Sequence, residues 1–150
     1  MRMIRNTIAL AFLSIILFAC ATITDVAYQP QPSRITDPRA EVKAIILANT
    51  VQGCVADPDV GEKMLVVKFV CSNGKGGVGN SVVRFDNVGS ITLQQSGEWY
   101  RVLVRHKNGA DDFSWGSKNL DDMQRMADAF TALKAANDAP ADAAKTGTPS

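Results

Sequence analysis

Short segments in which apolar and polar residues partly alternate, separated by turn-forming residues, fill the middle of this 150-residue chain. Four of them are rich in β-branched and aromatic side chains, with glycine, asparagine and aspartate between them: residues 64–70, 81–85, 90–94 and 99–105. This pattern favours strands joined by turns in an antiparallel meander. Residues 51–56 and 111–115 have the same character, so we predict five or six strands.

A helix is predicted on either side of the strands. Asp37 precedes Pro38 as a capping residue, and the first helix is expected to end near Ala48. Asn119 caps the second helix, in which apolar side chains recur every three or four residues: Met123, Met126, Ala127, Phe130 and Leu133. The chain therefore indicates an α+β fold with an N-terminal helix, an antiparallel bent sheet or partly open barrel of five to six strands, and a C-terminal amphipathic helix.

Residues 83–93, followed by Trp115 and the helix after Asn119, resemble elements of pleckstrin-homology-like (PH-like) domains, including bacterial ones. The resemblance covers residues 51–136 and implies a helix that closes one end of a bent sheet, in a binding or scaffolding module. Eukaryotic members often bind phosphoinositides through a basic first hairpin. Here that hairpin carries Asp57, Asp59 and Glu62, so binding of such headgroups is not expected.

Two arginines precede an apolar run over residues 8–18, which is typical of a secretory signal. The sequence Leu17-Phe18-Ala19-Cys20 at its end resembles the lipobox of bacterial lipoproteins. This resemblance implies cleavage after Ala19 and a diacylglyceryl group on Cys20 that holds the chain at a membrane. A transmembrane anchor is one alternative, although the run is shorter than the usual length of about 20 residues. An ordinary signal peptide with a coincidental cysteine is another.

The residue after Cys20 is Ala21. In proteobacterial lipoproteins the absence of aspartate at this position favours transfer to the outer membrane, where the protein faces the periplasm. Retention at the inner membrane is the alternative. The expected partners are therefore the membrane, through lipidated Cys20, and an envelope protein.

Composition divides the chain into four segments: a signal peptide over 1–19, a lipidated tether over 20–36, one PH-like α+β domain over 37–137 and a disordered tail over 138–150. Pro30 and Pro32 favour an extended conformation in the tether. The alanine, aspartate and proline of the tail supply too few large apolar side chains for a core.

The charge of the mature chain is nearly balanced. Cleavage removes Arg2 and Arg5 from 16 lysines and arginines, which leaves 14 against 15 aspartates and glutamates, a net charge of −1. Nucleic-acid binders usually present a clustered basic face. A nucleic-acid partner is therefore not expected.

Two cysteines remain besides Cys20, and each flanks a predicted strand of the first hairpin. Cys54 and Cys71 would lie roughly opposite each other, and an exported protein meets oxidising conditions, so we predict a disulfide bond between them. The spacing is not that of a Cys-x-x-Cys redox pair. His106 is the only histidine and lies in another segment, so no metal site is expected.

The glycine-rich sequence Gly74-Lys75-Gly76-Gly77-Val78-Gly79-Asn80-Ser81 closely resembles the deviant Walker A loop of ParA and MinD-type ATPases. By that resemblance Lys75 is the signature lysine and Ser81 the hydroxyl residue of the Mg²⁺ site. Asn80, however, stands where the family has its phosphate-binding lysine, and a strand rather than a helix is predicted to follow. We interpret the sequence as a hairpin loop and expect no cofactor.

These features together predict a membrane-anchored periplasmic lipoprotein whose domain binds or scaffolds an envelope partner. One alternative is binding of a lipid or small hydrophobic ligand between sheet and helix, and another is an enzyme that hydrolyses nucleotides at residues 74–81. We assign no catalytic residue. Four aromatic side chains are candidate binding anchors, with core positions as the competing interpretation: Trp99, Tyr100, Phe113 and Trp115.

Overall fold

Two helices and seven strands make up the part of the chain that the computed structural model describes, residues 22–72 and 78–138. The helices are α1, Pro38–Ala48, and α2, Leu120–Asp138. The strands in chain order are β1 (Ile23–Asp25), β2 (Cys54–Val60), β3 (Met64–Cys71), β4 (Val78–Arg84), β5 (Val88–Ser96), β6 (Trp99–His106) and β7 (Asp111–Ser117). The proposed signal peptide with Cys20, and residues 139–150 of the predicted tail, lie outside the described residues.

The strands form two antiparallel sheets. One has the order β1-β5-β6-β7 and the other the order β2-β3-β4. Within the described residues no strand of one sheet is a hydrogen-bonded neighbour of a strand of the other, so neither sheet closes into a barrel. The predicted α+β class with open antiparallel structure and flanking helices is confirmed, although the strands number seven and belong to two sheets.

Both predicted helix starts are present. The Asp37 carboxylate accepts hydrogen bonds from the backbone N–H groups of Arg39 and Ala40, each at 3.1 Å. The Asn119 side chain accepts one from the N–H of Asp121 at 3.0 Å. These bonds satisfy backbone donors that have no partner inside a helix.

Helix α2 buries its apolar stripe against the four-stranded sheet and α1. Met123, Met126 and Phe130 are fully buried, as the helical spacing predicted. The Phe130 ring centroid lies 6.4 Å from that of Phe85, which directly follows β4, and 5.6 Å from that of Phe113 in β7. One side chain of α2 thus joins β7 of the four-stranded sheet to the short 3₁₀ turn, Phe85–Asn87, that follows β4, and burying it contributes about 1.5–3 kcal/mol.

Residues 22–36 lie against the domain, whereas the sequence predicted an extended tether over 20–36. β1 pairs with residues 94–96 of β5, and the N–H of Val26 continues the contact by donating to the carbonyl of Leu93 at 2.8 Å. Pro32 begins a short 3₁₀ turn, Pro32–Arg34, instead of an extended segment. The chain therefore enters the fold at its first described residues.

Strand β2 is longer than predicted. Asp57-Pro58-Asp59 suggests a turn, but these residues pair with 66–68 of β3, and the chain reverses only between Val60 and Met64. A proline lacks a backbone N–H and is therefore tolerated in an edge strand. β2 is such a strand, at one edge of the three-stranded sheet, and α1 packs beside it.

The two predicted disulfide partners lie together. Cys54 and Cys71 are directly paired residues of β2 and β3, and their Sγ atoms are 2.01 Å apart, at the distance of a disulfide bond. The cross-link joins β2 to β3 at one end of the first hairpin, and its two cysteines are 17 positions apart in the sequence.

Removing this cross-link is expected to lower stability. In the chain-entropy model a loop of this length contributes about 3 kcal/mol, so a Cys54→Ala/Cys71→Ala variant should lose about that much free energy of unfolding. Urea unfolding followed by circular dichroism measures the difference. The unmodified chain in reductant is the matched control and should behave like the double variant. Equal stability of oxidised chain and variant would contradict the prediction.

Candidate functional site

Four valines are exposed on the outer face of the three-stranded sheet; we call Val55, Val70, Val78 and Val82 the valine face. Val55 pairs with Val70 and Val70 with Val78, so these three lie in one row across β2, β3 and β4. Their exposed fractions are 71%, 51% and 82%. Contiguous exposed apolar side chains often mark interaction surfaces, whereas apolar residues scattered singly over a surface do not.

A polar row lies beside the valine row. Asp57 pairs with Lys68, which pairs in turn with Asn80 on β4. Opposite charges at directly paired positions attract each other. The surface therefore offers a partner an apolar strip with one acidic and one basic group next to it.

A cleft opens where the edge strands of the two sheets meet. β4 ends one sheet and β7 ends the other, and the hydroxyl of Ser81 lies 3.5 Å from the carbonyl oxygen of Asp112 across the gap. A hollow of about 370 Å³ occupies this gap. A second hollow of about 250 Å³ extends to the disulfide, and Phe69 and Trp115 line both. We call the two hollows together the seam cleft.

Trp115 lines the seam cleft and carries an unpaired hydrogen-bond donor. Its ring stacks on Phe113 with centroids 6.2 Å apart and an interplanar angle of 3°. Its indole N–H is buried and has no acceptor among the described residues. An unsatisfied buried donor costs about 1–3 kcal/mol, which an acceptor on a bound molecule would offset. The cleft thus suits a small molecule with an apolar body and one acceptor.

The glycine-rich sequence enters a strand. Lys75 lies outside the described residues, and Ser81 lies within β4, where it pairs with Val67. The ring of Phe69 lies over Gly79, and a Cβ at that position would overlap it. Close packing against an aromatic ring therefore explains this glycine without a phosphate.

The four aromatic residues proposed as anchors have different environments. Phe113 belongs to the buried core, and Tyr100 and Trp115 pack partly against it. Trp99 is exposed at the start of β6, and the Nζ of Lys118 lies 5.7 Å from its ring centroid. Only Trp99 is thus exposed as a surface anchor requires.

Asp128 is a fully buried carboxylate on α2. Its Oδ1 accepts hydrogen bonds from the Tyr28 hydroxyl at 2.8 Å and from the Gln31 N–H at 2.6 Å, and its Oδ2 lies 3.9 Å from the Arg34 guanidinium. A buried charge is tolerated when it is paired and hydrogen-bonded in this way. These contacts, which we call the Asp128 clamp, hold residues 28–34 on the helix.

The sequence pattern does not predict the Asp128 clamp. Asp128 lies away from the apolar stripe of α2, where a carboxylate normally faces solvent. The segment that covers it contains Pro30 and Pro32, which favour extended chain. The signal available was Tyr28, an aromatic side chain in an otherwise polar stretch.

The described residues contain no helix long and apolar enough to cross a membrane. Nor do three or more histidine, cysteine, aspartate or glutamate side chains come together there in an arrangement that could hold a metal ion.

The clamp predicts a specific loss of stability at high pH. Burial, and then the hydrogen bond to Asp128, raise the pKa of Tyr28 from 10.0 to about 12. Between these values the unfolded chain has lost the phenol proton while the folded chain keeps it, so the free energy of unfolding falls as pH rises from 10 to 12. Urea unfolding at several pH values should show a steeper fall for the unmodified chain than for Tyr28→Phe, in which all other groups still titrate. Parallel curves would contradict this.

Comparison of the chain with protein-family models, with curated proteins and with solved structures finds no match.

Proposed function

We propose that this protein is a lipoprotein of the bacterial envelope, anchored through Cys20 to the outer membrane and facing the periplasm, with a domain that binds another envelope protein. The anchor rests on the resemblance of Leu17-Phe18-Ala19-Cys20 to a lipobox. The Cys54 and Cys71 pair at disulfide distance is consistent with an oxidising compartment.

The row Val55–Val70–Val78 carries the binding part of the proposal. Its three side chains are neighbours on one face of a sheet whose other face is occupied by the core. Each Å² of exposed apolar surface that a partner covers contributes about 25 cal/mol to the free energy of association. The covering surface should itself be apolar.

The polar row gives this surface a means of orienting its partner. Asp57 and Lys68 carry opposite charges side by side, so only one orientation of a complementary charge pair fits them. Such complementarity contributes mainly to specificity and to the rate of association.

A photo-crosslinking amino acid in place of Val78 should form an adduct with one envelope protein in living cells. Val70→Glu in the same chain should weaken the association about tenfold or more, because docking would bury an unpaired charge. Leu47→Glu on α1 is the matched control, since Leu47 and Val70 are both 51% exposed. Adduct yield measured on the membrane fraction distinguishes the variants.

The anchor is tested in the same cells. Cys20→Ser should abolish acylation and move the protein out of the membrane fraction.

Adducts of equal yield in the Val70→Glu and Leu47→Glu chains, or adducts with lipid alone, would refute the valine face as the protein-binding surface.

The seam cleft favours a second candidate function, the binding of a small amphipathic molecule. The buried, unpartnered indole N–H of Trp115 is the observation that supports it. Two carboxylates, of Asp111 and Asp112, and one guanidinium, of Arg101, line the larger hollow, so its charge is negative on balance and an uncharged acceptor such as an ester or amide suits it better than a carboxylate. The remainder of the ligand should be apolar to match Phe69 and Leu103.

Methyl octanoate is a suitable probe for the seam cleft. Trp115→Phe keeps an aromatic ring but removes the donor, and should weaken binding by about 1 kcal/mol, or about fivefold. Isothermal titration of both chains measures this ratio. Trp99→Phe, which leaves the cleft intact, is the control and should bind like the unmodified chain. If neither the unmodified chain nor the control binds the ester, this candidate function is contradicted.

A further inference from the structure

The proposed anchor at Cys20 is only three residues from the first strand. β1 begins at Ile23. Each residue spans at most about 3.6 Å, so the Cα atoms of Cys20 and Ile23 lie within about 11 Å of each other. β1 is held in the four-stranded sheet by its pairing with β5. An acylated Cys20 therefore determines which end of the domain faces the bilayer.

That end carries an exposed isoleucine and an exposed tryptophan on one face. Ile23 pairs with Ser96, and Ser96 pairs with Trp99 across the turn between β5 and β6. Directly paired residues point to the same face of a sheet. Ile23 and Trp99 are 52% and 48% exposed.

Lys118 extends this row with a positive charge. Its Nζ lies 5.7 Å from the Trp99 ring centroid and 2.8 Å from the Glu98 carboxylate. A hollow of about 400 Å³ beside Trp99 and Lys118 is also lined by Val51, which is exposed. We call Ile23, Val51, Trp99 and Lys118 the anchor-end surface.

We propose that the anchor-end surface lies in the headgroup region of the bilayer, as a second, noncovalent membrane contact beside the acyl chains. Ile23 and Trp99 meet the outer acyl-chain region, and Lys118, whose ion pair with Glu98 is exposed to solvent, meets the lipid phosphates. Tryptophan is enriched at this depth because its ring is apolar and carries one polar N–H. Lysine reaches the same level because its aliphatic stem can be buried while its ammonium group stays hydrated. The inference rests on the proposed lipidation of Cys20.

The short link to Cys20 favours lipid over a protein as the occupant. A single helix is already about 10–12 Å across. A link of at most about 11 Å therefore leaves too little space for a folded partner between Ile23 and the headgroups. Tryptophan, isoleucine and lysine on one face are side chains that suit the membrane–water interface.

Tryptophan fluorescence of the full-length lipidated chain in vesicles tests this proposal. The sequence has two tryptophans, Trp99 and Trp115, so Trp99→Phe leaves Trp115 as an internal control. In vesicles containing phosphatidylcholine brominated on its acyl chains, the unmodified chain should lose emission and Trp99→Phe should lose none. The difference isolates Trp99 without altering the seam cleft. In Trp115→Phe the remaining tryptophan is Trp99, so the whole tryptophan emission of this variant should be quenched.

Flotation of the same vesicles separates the two proposals. Protein that floats with the vesicles but shows no quenching of Trp99 keeps its anchor and overturns the membrane contact. Protein that does not float overturns the anchor and the contact with it. A Cys20→Ser chain that floats equally well overturns the anchor alone.

Discussion

Side-chain packing by the two helices is the interaction on which the two-sheet arrangement depends, because α1 packs on β2 and on α2, and α2 packs on the four-stranded sheet. Within the described residues the two sheets are not joined by neighbouring hydrogen-bonded strands, and the short turn Phe85–Asn87 is the covalent link from β4 to β5, so side-chain packing is needed to fix how the sheets lie. Phe130 provides this at one point of α2, with Phe85 directly after β4 and Phe113 in β7. The gap that remains between β4 and β7 is the seam cleft. The cleft is present because side-chain packing, and not a continuous row of backbone hydrogen bonds, holds the two sheets together.

The sequence predicts the structure best where local chemistry decides it. Asp37 and Asn119 cap the two helices because their side chains reach free N–H groups within the next three residues. The stripe through Met123, Met126 and Phe130 is buried because a helix places those side chains on one face. Cys54 and Cys71 lie opposite each other because the hairpin pairs the ends of two strands.

Prediction from the sequence failed where contacts between distant segments decide the structure. Pro32 favours extended chain in isolation, yet contacts with α2 hold its segment against the domain. Asp57-Pro58-Asp59 reads as a turn, but an edge strand tolerates it. The valine face was also not anticipated, because alternation identifies two faces of a strand without showing which neighbours cover them. The surfaces that carry the proposed functions therefore required the tertiary structure.

The Asp128 clamp and β1 determine how a pull on the N-terminus would spread through the molecule. Tension applied through Cys20 reaches Ile23 first and can peel β1 from β5 one residue pair at a time. It next meets Tyr28 and Gln31, whose bonds to Asp128 end on α2, the helix that packs on the four-stranded sheet and on α1. Mechanical load would thus pass from a weak, stepwise contact to the centre of the fold. The domain can yield at β1 under small forces while α2 and the core remain intact.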